Sequence, residues 1–186
     1  MKPLGYYGAI LADTFIQTKV IHVMKNSRSL CLIMPLALVS VSMGQTNVRE
    51  LVQANYDKIS RLSMNREKAQ LEKFARKNSS SSFVYIDALR NSLDLAATIR
   101  QNNEQLSRIY KFNSNSNKII GAKQVGPDIV FTVKTQYDVF LDSDMKNRIV
   151  GTTISRDTWM KTLKGWKIRK SMIVKESSTQ NGVPLR

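Results

Sequence analysis

Few side chains in this sequence could carry out chemistry, and the clearest of them are carboxyl and phenol groups. Asp87 follows a short β-rich run at residues 83–86, and a lone aspartate can act as a general base where burial raises its pKa. The only histidine, His22, and the only cysteine, Cys31, lie near the N-terminus. The sequence has no phosphate loop, no Gly-rich dinucleotide turn and no cluster of metal ligands. We therefore expect no metal site and no cofactor.

An apolar run at residues 30–41 has the composition of a secretory signal peptide. Basic residues precede it and small residues follow it: Lys25, Arg28, Ser42 and Gly44. A basic head, an apolar middle and a small-residue exit define such signals. The alternative interpretation is a short buried helix of the domain. The run is too short to cross a bilayer, which takes ~20 helical residues, so we expect no transmembrane anchor after cleavage.

Residues 1–44 are therefore predicted to be a signal peptide, with the mature protein starting at Gln45. Residues 1–23 are unusual in front of such a head, and we interpret them as a non-native extension with the true start at Met24. Removing this segment also removes His22 and Cys31, which leaves no histidine base, thiol nucleophile or disulfide. The predicted location is secreted or periplasmic.

The chain is strongly basic, with 29 Lys and Arg against 14 Asp and Glu and a net charge of +15. Such a charge can indicate nucleic-acid binding, since contacts to phosphates dominate that affinity. The basic residues are scattered, however, and export argues against a nucleic-acid partner. We interpret them as a solvated basic surface that anionic lipid or cell-wall polymers would attract.

Helical spacing dominates the first half of residues 45–176, which we predict to form one domain. One apolar stripe consists of Val48, Leu51, Val52, Tyr56, Ile59 and Leu62, the pattern of an amphipathic helix. A second helix is predicted over about 65–76, and a third follows Ser92 as its cap. The polar residues 113–117 are predicted to form a turn.

Alternation of apolar and polar residues dominates the second half. Strands are predicted at 118–125, 129–141, 148–163 and 165–175, and the second alternates most clearly, with Phe131 and Tyr137 on its covered face. Such alternation is typical of antiparallel sheets with one covered face. Helices followed by a meander indicate an α+β fold. Residues 177–186 are predicted to be a flexible C-terminal tail.

The order of these elements, with Trp159, Gly165 and Trp166 across the last turn, resembles the nuclear transport factor 2-like superfamily in its ketosteroid-isomerase-like and SnoaL-like branch. The resemblance covers about residues 47–176. It implies a cone in which a curved antiparallel sheet packs on about three N-terminal helices. It also implies a pocket at the wide end of the cone.

Six residues are candidates for lining that pocket: Tyr56, Tyr85, Asp87, Tyr137, Trp166 and Lys170. Each has a structural alternative. The aromatic residues could be core residues, Asp87 could stabilise a turn, and Lys170 could extend its ammonium group past apolar neighbours to solvent. The pair Arg156-Asp157 is interpreted as a cross-strand ion pair on the solvated face.

Three functions are compatible with these residues. The first is a secreted or periplasmic, non-catalytic module that binds a small apolar or anionic molecule or acts as an accessory domain. The second is an isomerase or hydrolase for a small apolar substrate that uses Asp87 with Tyr56 or Tyr85, since isomerases of this fold pair a carboxylate base with Tyr and a protonated Asp. The third is a homodimer formed through the sheet, for which the third strand offers Val150, Thr152, Ile154 and Met160.

Overall fold

The computed structural model describes residues 39–185, with side chains from Asn47 onward. The proposed start at Met24 and most of the predicted signal peptide lie outside the described residues. The helices are α1 (Val39–Met64), α2 (Lys68–Asn78) and α3 (Leu95–Arg108). The strands are β1 (Ser79–Ile86), β2 (Ser92–Asp94), β3 (Lys111–Val125), β4 (Asp128–Phe140), β5 (Arg148–Thr162), β6 (Gly165–Gln180) and β7 (Val183–Pro184).

One mixed sheet contains all of these strands, in the order β2-β1-β6-β5-β4-β3 with β7 paired to β6. Strands β3 to β6 form an antiparallel meander, as the alternation predicted. Strand β1 pairs in parallel with β6, because the long connection through α3 and the meander brings the chain back alongside it. The predicted α+β fold of about three helices on a curved sheet is confirmed. Within residues 39–185, no helix is long and apolar enough to span a membrane.

Helix α1 lies on the concave side of the sheet because its apolar stripe packs there. Val52, Tyr56 and Leu62 are buried, whereas Leu51 is half exposed. The Gln53 side chain fixes the helix on β3: its amide Nε2 donates to the Asn117 carbonyl at 2.8 Å, and its Oε1 accepts from the Ile119 N–H at 2.9 Å. The same helix therefore supplies core side chains and bonds to an edge strand.

The core consists of apolar side chains from α1 and the inner face of the meander: Val52, Tyr56, Ile119, Ile129, Phe131, Val133 and Trp159. Trp166 packs against this cluster from β6. Both tryptophans of the sequence motif are thus packing residues, and for Trp166 this is the structural alternative to a place in the pocket.

The predicted turn at residues 113–117 is wrong, because these residues continue β3. Two of their polar side chains form hydrogen bonds within the fold. Asn117 accepts from the Thr135 hydroxyl at 2.6 Å and donates to Ser60 at 2.8 Å. Asn113 donates to the Asp138 carboxylate at 2.6 Å. Cross-strand and helix–sheet hydrogen bonds therefore outweigh the local turn propensity of these residues and keep them in the strand.

Strand β6 contains two bulges that change which residues face inward. Arg169 and Val174 have no partner on β5, whereas the residues on either side of each are paired. Each extra residue shifts the alternation by one. The residues that face the concave side are therefore Trp166, Ile168, Ser171, Ile173, Glu176 and Ser178, and those on the convex side are Lys170, Met172 and Lys175.

The C-terminal end of the sheet lies beyond the predicted domain boundary at 176. Strand β6 continues to Gln180 and pairs with β5 throughout, and β7 pairs back onto it. Asn181 and Gly182 both have positive φ, at 51° and 84°, and this pair of residues is a strong hairpin signal. Residues 177–184 therefore belong to the sheet and do not form the predicted flexible tail.

Candidate functional site

The helices cover the centre of the concave face less closely than its sides. Helix α1 packs mainly on β3, and α3 packs on β1 and β2. The inward residues of the middle strands in this region are largely polar and only partly buried: Tyr85, Thr135, Tyr137, Thr153 and Glu176. We refer to these five residues and the neighbouring Ser178 as the cleft.

Asp157 is a buried polar residue next to this cleft. It is 4 % exposed, and cross-strand pairing places it between Phe131 on β4 and Ser171 on β6. Its Oδ2 accepts from the Tyr56 hydroxyl at 2.5 Å, and its Oδ1 accepts from the Ser171 hydroxyl at 2.7 Å. The interpretation of Asp157 as half of an exposed ion pair is wrong, because a residue on the same face as Trp159 points into the core.

Tyr56 joins this network to the core. Trp159 Nε1 donates to its hydroxyl at 3.3 Å, and the two rings meet edge to face at 6.2 Å. Burial raises the pKa of Tyr56 well above its usual value, and the charge of Asp157 raises it further. The Tyr56 hydroxyl therefore stays protonated and acts as a donor.

Burial also raises the pKa of Asp157, against hydrogen bonds from Tyr56 and Ser171 that lower it. A carboxyl group whose pKa is higher in the folded than in the unfolded state stabilises the fold most below the unfolded pKa. That stability is lost as the pH rises through the folded pKa.

An Asp157→Asn variant should therefore lack part of the pH dependence of the natural protein. Relative to this variant, we expect the natural protein to become less stable as the pH rises from about 4 to 8. Urea unfolding across that range measures the difference. Asp144→Asn, a change at an exposed carboxylate, should run parallel to the natural protein, and parallel curves for both variants would contradict the assignment.

Glu176 and Tyr85 form the acidic side of the cleft. Burial raises the pKa of Glu176, and the charge of Asp87 raises it further. Burial, followed by the charges of Glu176, Asp87 and Asp157, raises the pKa of Tyr85 to about 12. No ion pair with Glu176 is present among residues 47–185, so its charge is not neutralised by a basic side chain.

The hydroxyl groups of Tyr137 and Ser178 lie at one end of the cleft. The Tyr137 ring lies over Gly151, where a Cβ atom would come within 2.3 Å of the ring Cζ and the hydroxyl. Burial, with the charge of Glu176, raises the pKa of Tyr137 to about 12. Ser178 lies close enough to affect that pKa, but neither hydroxyl has a well-formed hydrogen bond, and both oxygens are buried. Buried polar groups without partners are rare and call for an explanation.

The structure brings together only part of the predicted pocket set. Tyr85 and Tyr137 line the cleft. Tyr56 lies beneath it and donates a hydrogen bond to Asp157. Asp87 lies at the end of β1, where its two carboxylate oxygens accept from the backbone and side-chain nitrogens of Asn91 at 2.8 and 2.9 Å. That geometry matches the turn-stabilising alternative, and it leaves Asp87 poorly placed to act as a base.

Trp166 and Lys170 lie outside the cleft. Trp166 packs against the core beside Ile168. Lys170 pairs with Val84 and Thr158, the outward neighbours of Tyr85 and Asp157, so it lies on the convex face. The bulge at Arg169 is the reason, since it separates Lys170 from the alternation that the sequence suggested.

Besides Thr135 and Thr153, three residues of this region were not predicted as site residues: Asp157, Glu176 and Ser178. A signal existed for Asp157, which alternates with Ser155 and Trp159 along β5. Glu176 and Ser178 follow the bulge at Val174, and their inward orientation depends on cross-strand register that no local pattern reveals.

Other features of the described chain do not extend this site. Residues 47–185 contain no cluster of acidic, histidine or cysteine side chains suited to a metal ion. A groove of about 330 Å³ lies between the end of α1 and β3, and it is lined by Asp57, Arg61 and Asn117, among others. A second groove of about 550 Å³ lies beside the serines of β1. Neither groove contains a predicted pocket residue.

Comparison with known proteins gives a likeness of fold. No protein-family profile and no curated protein sequence matches the chain. Hexachlorocyclohexane dehydrochlorinase LinA-type3 from Novosphingobium barchaimii is similar in structure, with a TM-score of 0.57 and 11% identity over 77% of this chain and 94% of that one. A putative scytalone dehydratase from Novosphingobium aromaticivorans has a TM-score of 0.56 and 14% identity over 74% and 91%.

A nuclear transport factor 2-like superfamily protein from Salmonella enterica is also similar, with a TM-score of 0.54 and 10% identity over 69% of this chain and 91% of that one. These neighbours share the helix order and the curved sheet. At such low sequence identity, the similarity shows a shared architecture and does not show a shared function. The chain has the nuclear transport factor 2-like fold, as the resemblance in its sequence predicted.

Proposed function

We propose that this protein is an exported, non-catalytic binding module that holds a small amine-bearing molecule in the cleft. The observation that carries the proposal is the pair of buried hydroxyls on Tyr137 and Ser178, which lack well-formed hydrogen bonds beside the half-buried Glu176. Pockets in which a few polar groups converge within apolar walls are typical binding sites. Both oxygens are buried, so a ligand with N–H groups would satisfy them after displacing the side chains that cover them.

Charge determines the class of ligand. The sheet residues that face the cleft include the carboxylates of Asp157 and Glu176, and Asp87 lies close enough to act on Glu176. Among the described sheet residues that point inward, the only basic one is Lys161, at the far end of β5. A cation near Glu176 would favour its ionised form and offset the cost of burial. The same charges argue against the anionic ligand that the sequence suggested.

A catalytic function is less well supported. Both oxygens of Asp87 are engaged by Asn91, and those of Asp157 by Tyr56 and Ser171. A general base must reach a substrate proton, and these two carboxylates have no free oxygen directed into the cleft. The reactions named for the dehydrochlorinase and the putative dehydratase belong to those proteins, and identities of 11% and 14% do not transfer them.

The test is to look for a bound molecule and then to measure amine binding. Native mass spectrometry of protein purified from its own envelope should show an added mass. Calorimetric titration should show binding of ethanolamine or putrescine and none of succinate. Glu176→Gln should weaken amine binding by about 10- to 100-fold, since a charge-assisted hydrogen bond contributes about 1.5–3 kcal/mol. Glu104→Gln, the same change at an exposed position, should leave it intact.

A second variant tests the cleft without changing charge. Gly151→Ala would place a methyl group 2.3 Å from the Tyr137 ring and displace it, so amine binding should fall. Gly121→Ala is the matched control, because its Cβ would meet only Thr132 at 3.6 Å. Succinate binding, or amine binding unaffected by both Glu176→Gln and Gly151→Ala, would refute the proposal.

Export is tested separately. N-terminal sequencing of protein recovered from the cell envelope or medium should begin near Gln45. An intact Met1 or Met24 would reject cleavage of a signal peptide, and recovery of the protein only from the cytoplasm would reject export, whether or not the cleft binds an amine.

A further inference from the structure

The convex face of the sheet has the opposite charge from the cleft. Cross-strand partners point to the same side of a sheet, so the residues paired with outward positions of β4 and β5 define this face. Six cations lie in the middle of this face: Lys118 and Lys123 on β3, Lys134 on β4, Arg156 on β5, and Lys170 and Lys175 on β6. Lys111, Arg148 and Lys167 also point outward, nearer the ends of the strands. We call the six central cations the basic face.

The basic face is dense. Lys118 pairs directly with Lys134, and two strands further along the same row lies Lys175, across from Ile154. Residues that are cross-strand partners form a row that runs across β3, β4, β5 and β6. The six cations occupy three successive rows of this face. The rows are about 7 Å apart, and the four strands span about 14 Å. Like charges placed directly opposite each other destabilise a sheet. Repulsion between Lys118 and Lys134 therefore destabilises the sheet, and an anionic partner would reduce this repulsion.

Acidic side chains do not neutralise this face. Asp128 and Asp138 also point outward, but each is held by another cation: Arg169 at 2.7 Å and Arg148 at 2.7 Å. Among residues 47–185, none of the six members of the basic face forms an ion pair. The face therefore presents six uncompensated positive charges.

We propose that the basic face docks on a membrane surface rich in anionic phospholipid. Aliphatic side chains lie between the cations and are partly exposed, including Val130, Ile154 and Met172. Cations interspersed with apolar side chains suit the headgroup region of a bilayer. The cleft opens on the other side of the sheet, so docking would leave it free.

Two other occupants fit less well. The homodimer predicted through Val150, Thr152 and Ile154 would bring two basic faces together, and their charges would repel. A single-stranded nucleic acid would require aromatic platforms for its bases, and the only aromatic side chain among the described outward residues of β3 to β6 is Phe140, at the end of β4.

The experiment is co-sedimentation of the full-length protein with large vesicles. Binding is expected to vesicles of mixed phosphatidylcholine and phosphatidylserine, and little to pure phosphatidylcholine. Each Lys or Arg near an anionic surface contributes about fivefold to partitioning. Arg156→Glu/Lys175→Glu should therefore weaken binding by at least about 25-fold. Arg156→Gln/Lys175→Gln provides a milder second variant if the charge reversal impairs folding.

The matched control is Lys73→Glu/Arg100→Glu, which changes net charge equally at exposed positions on α2 and α3. It should keep most of the binding, and all variants share the same N-terminus. Equal losses in the face and control variants would overturn the proposal, as would equal binding to pure phosphatidylcholine. A dimer that depends on Arg156 and Lys175, or binding to a DNA oligonucleotide without binding to vesicles, would assign the face to another partner.

Discussion

Replacing Asp157 by alanine is expected to lower the free energy of unfolding by about 2–6 kcal/mol. The carboxylate accepts from Tyr56 and Ser171, and both hydroxyls would be left without an acceptor beside the core. Each buried donor without a partner costs about 1–3 kcal/mol. Urea denaturation measures the loss.

Asp144→Ala is the control, since Asp144 is exposed on the turn between β4 and β5 and pairs only with Lys146. Surface changes of this kind usually stay within about 0.5 kcal/mol. A loss below about 1 kcal/mol for Asp157→Ala would mean that the network contributes little to the fold.

Phe131→Ala is the second large effect, with an expected loss of about 3–5 kcal/mol. Phe131 is 1 % exposed at the centre of β4, between Ala122 and Asp157 on the flanking strands. The loss combines the transfer energy of the ring with the cavity left behind. Leu163→Ala, at a fully exposed turn residue, should stay near zero. Equal losses in both variants would contradict this placement of the core.

The sequence predicts well those features that depend on local periodicity. The stripe on α1 identifies Val52 and Tyr56 as buried, and the alternation of β4 identifies Phe131 and Val133. Each prediction follows from one element whose covered face is uniform along its length. The order of helices and strands, and hence the fold, follows from the same patterns.

The candidate site was only partly predictable, because its residues depend on register between strands. Asp157 is polar and follows Arg156, so it resembles an exposed charge although it shares a face with Trp159. Glu176 and Lys170 are assigned to their faces by bulges in β6. A bulge is visible only when two strands are aligned, and a single strand read alone carries no trace of it.

The bulges also affect how this protein can change in length. Deleting Val174 would place Lys175 directly after Ile173, and both would keep their present partners on β5. Glu176 would still face the cleft and Lys175 the outside. A one-residue insertion or deletion normally moves every later side chain of a strand to the opposite face of the sheet. Deletion of an unpaired bulge residue does not, because the later residues keep their cross-strand partners. We therefore expect a one-residue deletion to be tolerated at Val174, in the middle of a strand where most sheets would reject it, whereas deletion of Arg169 would also remove the ion pair to Asp128.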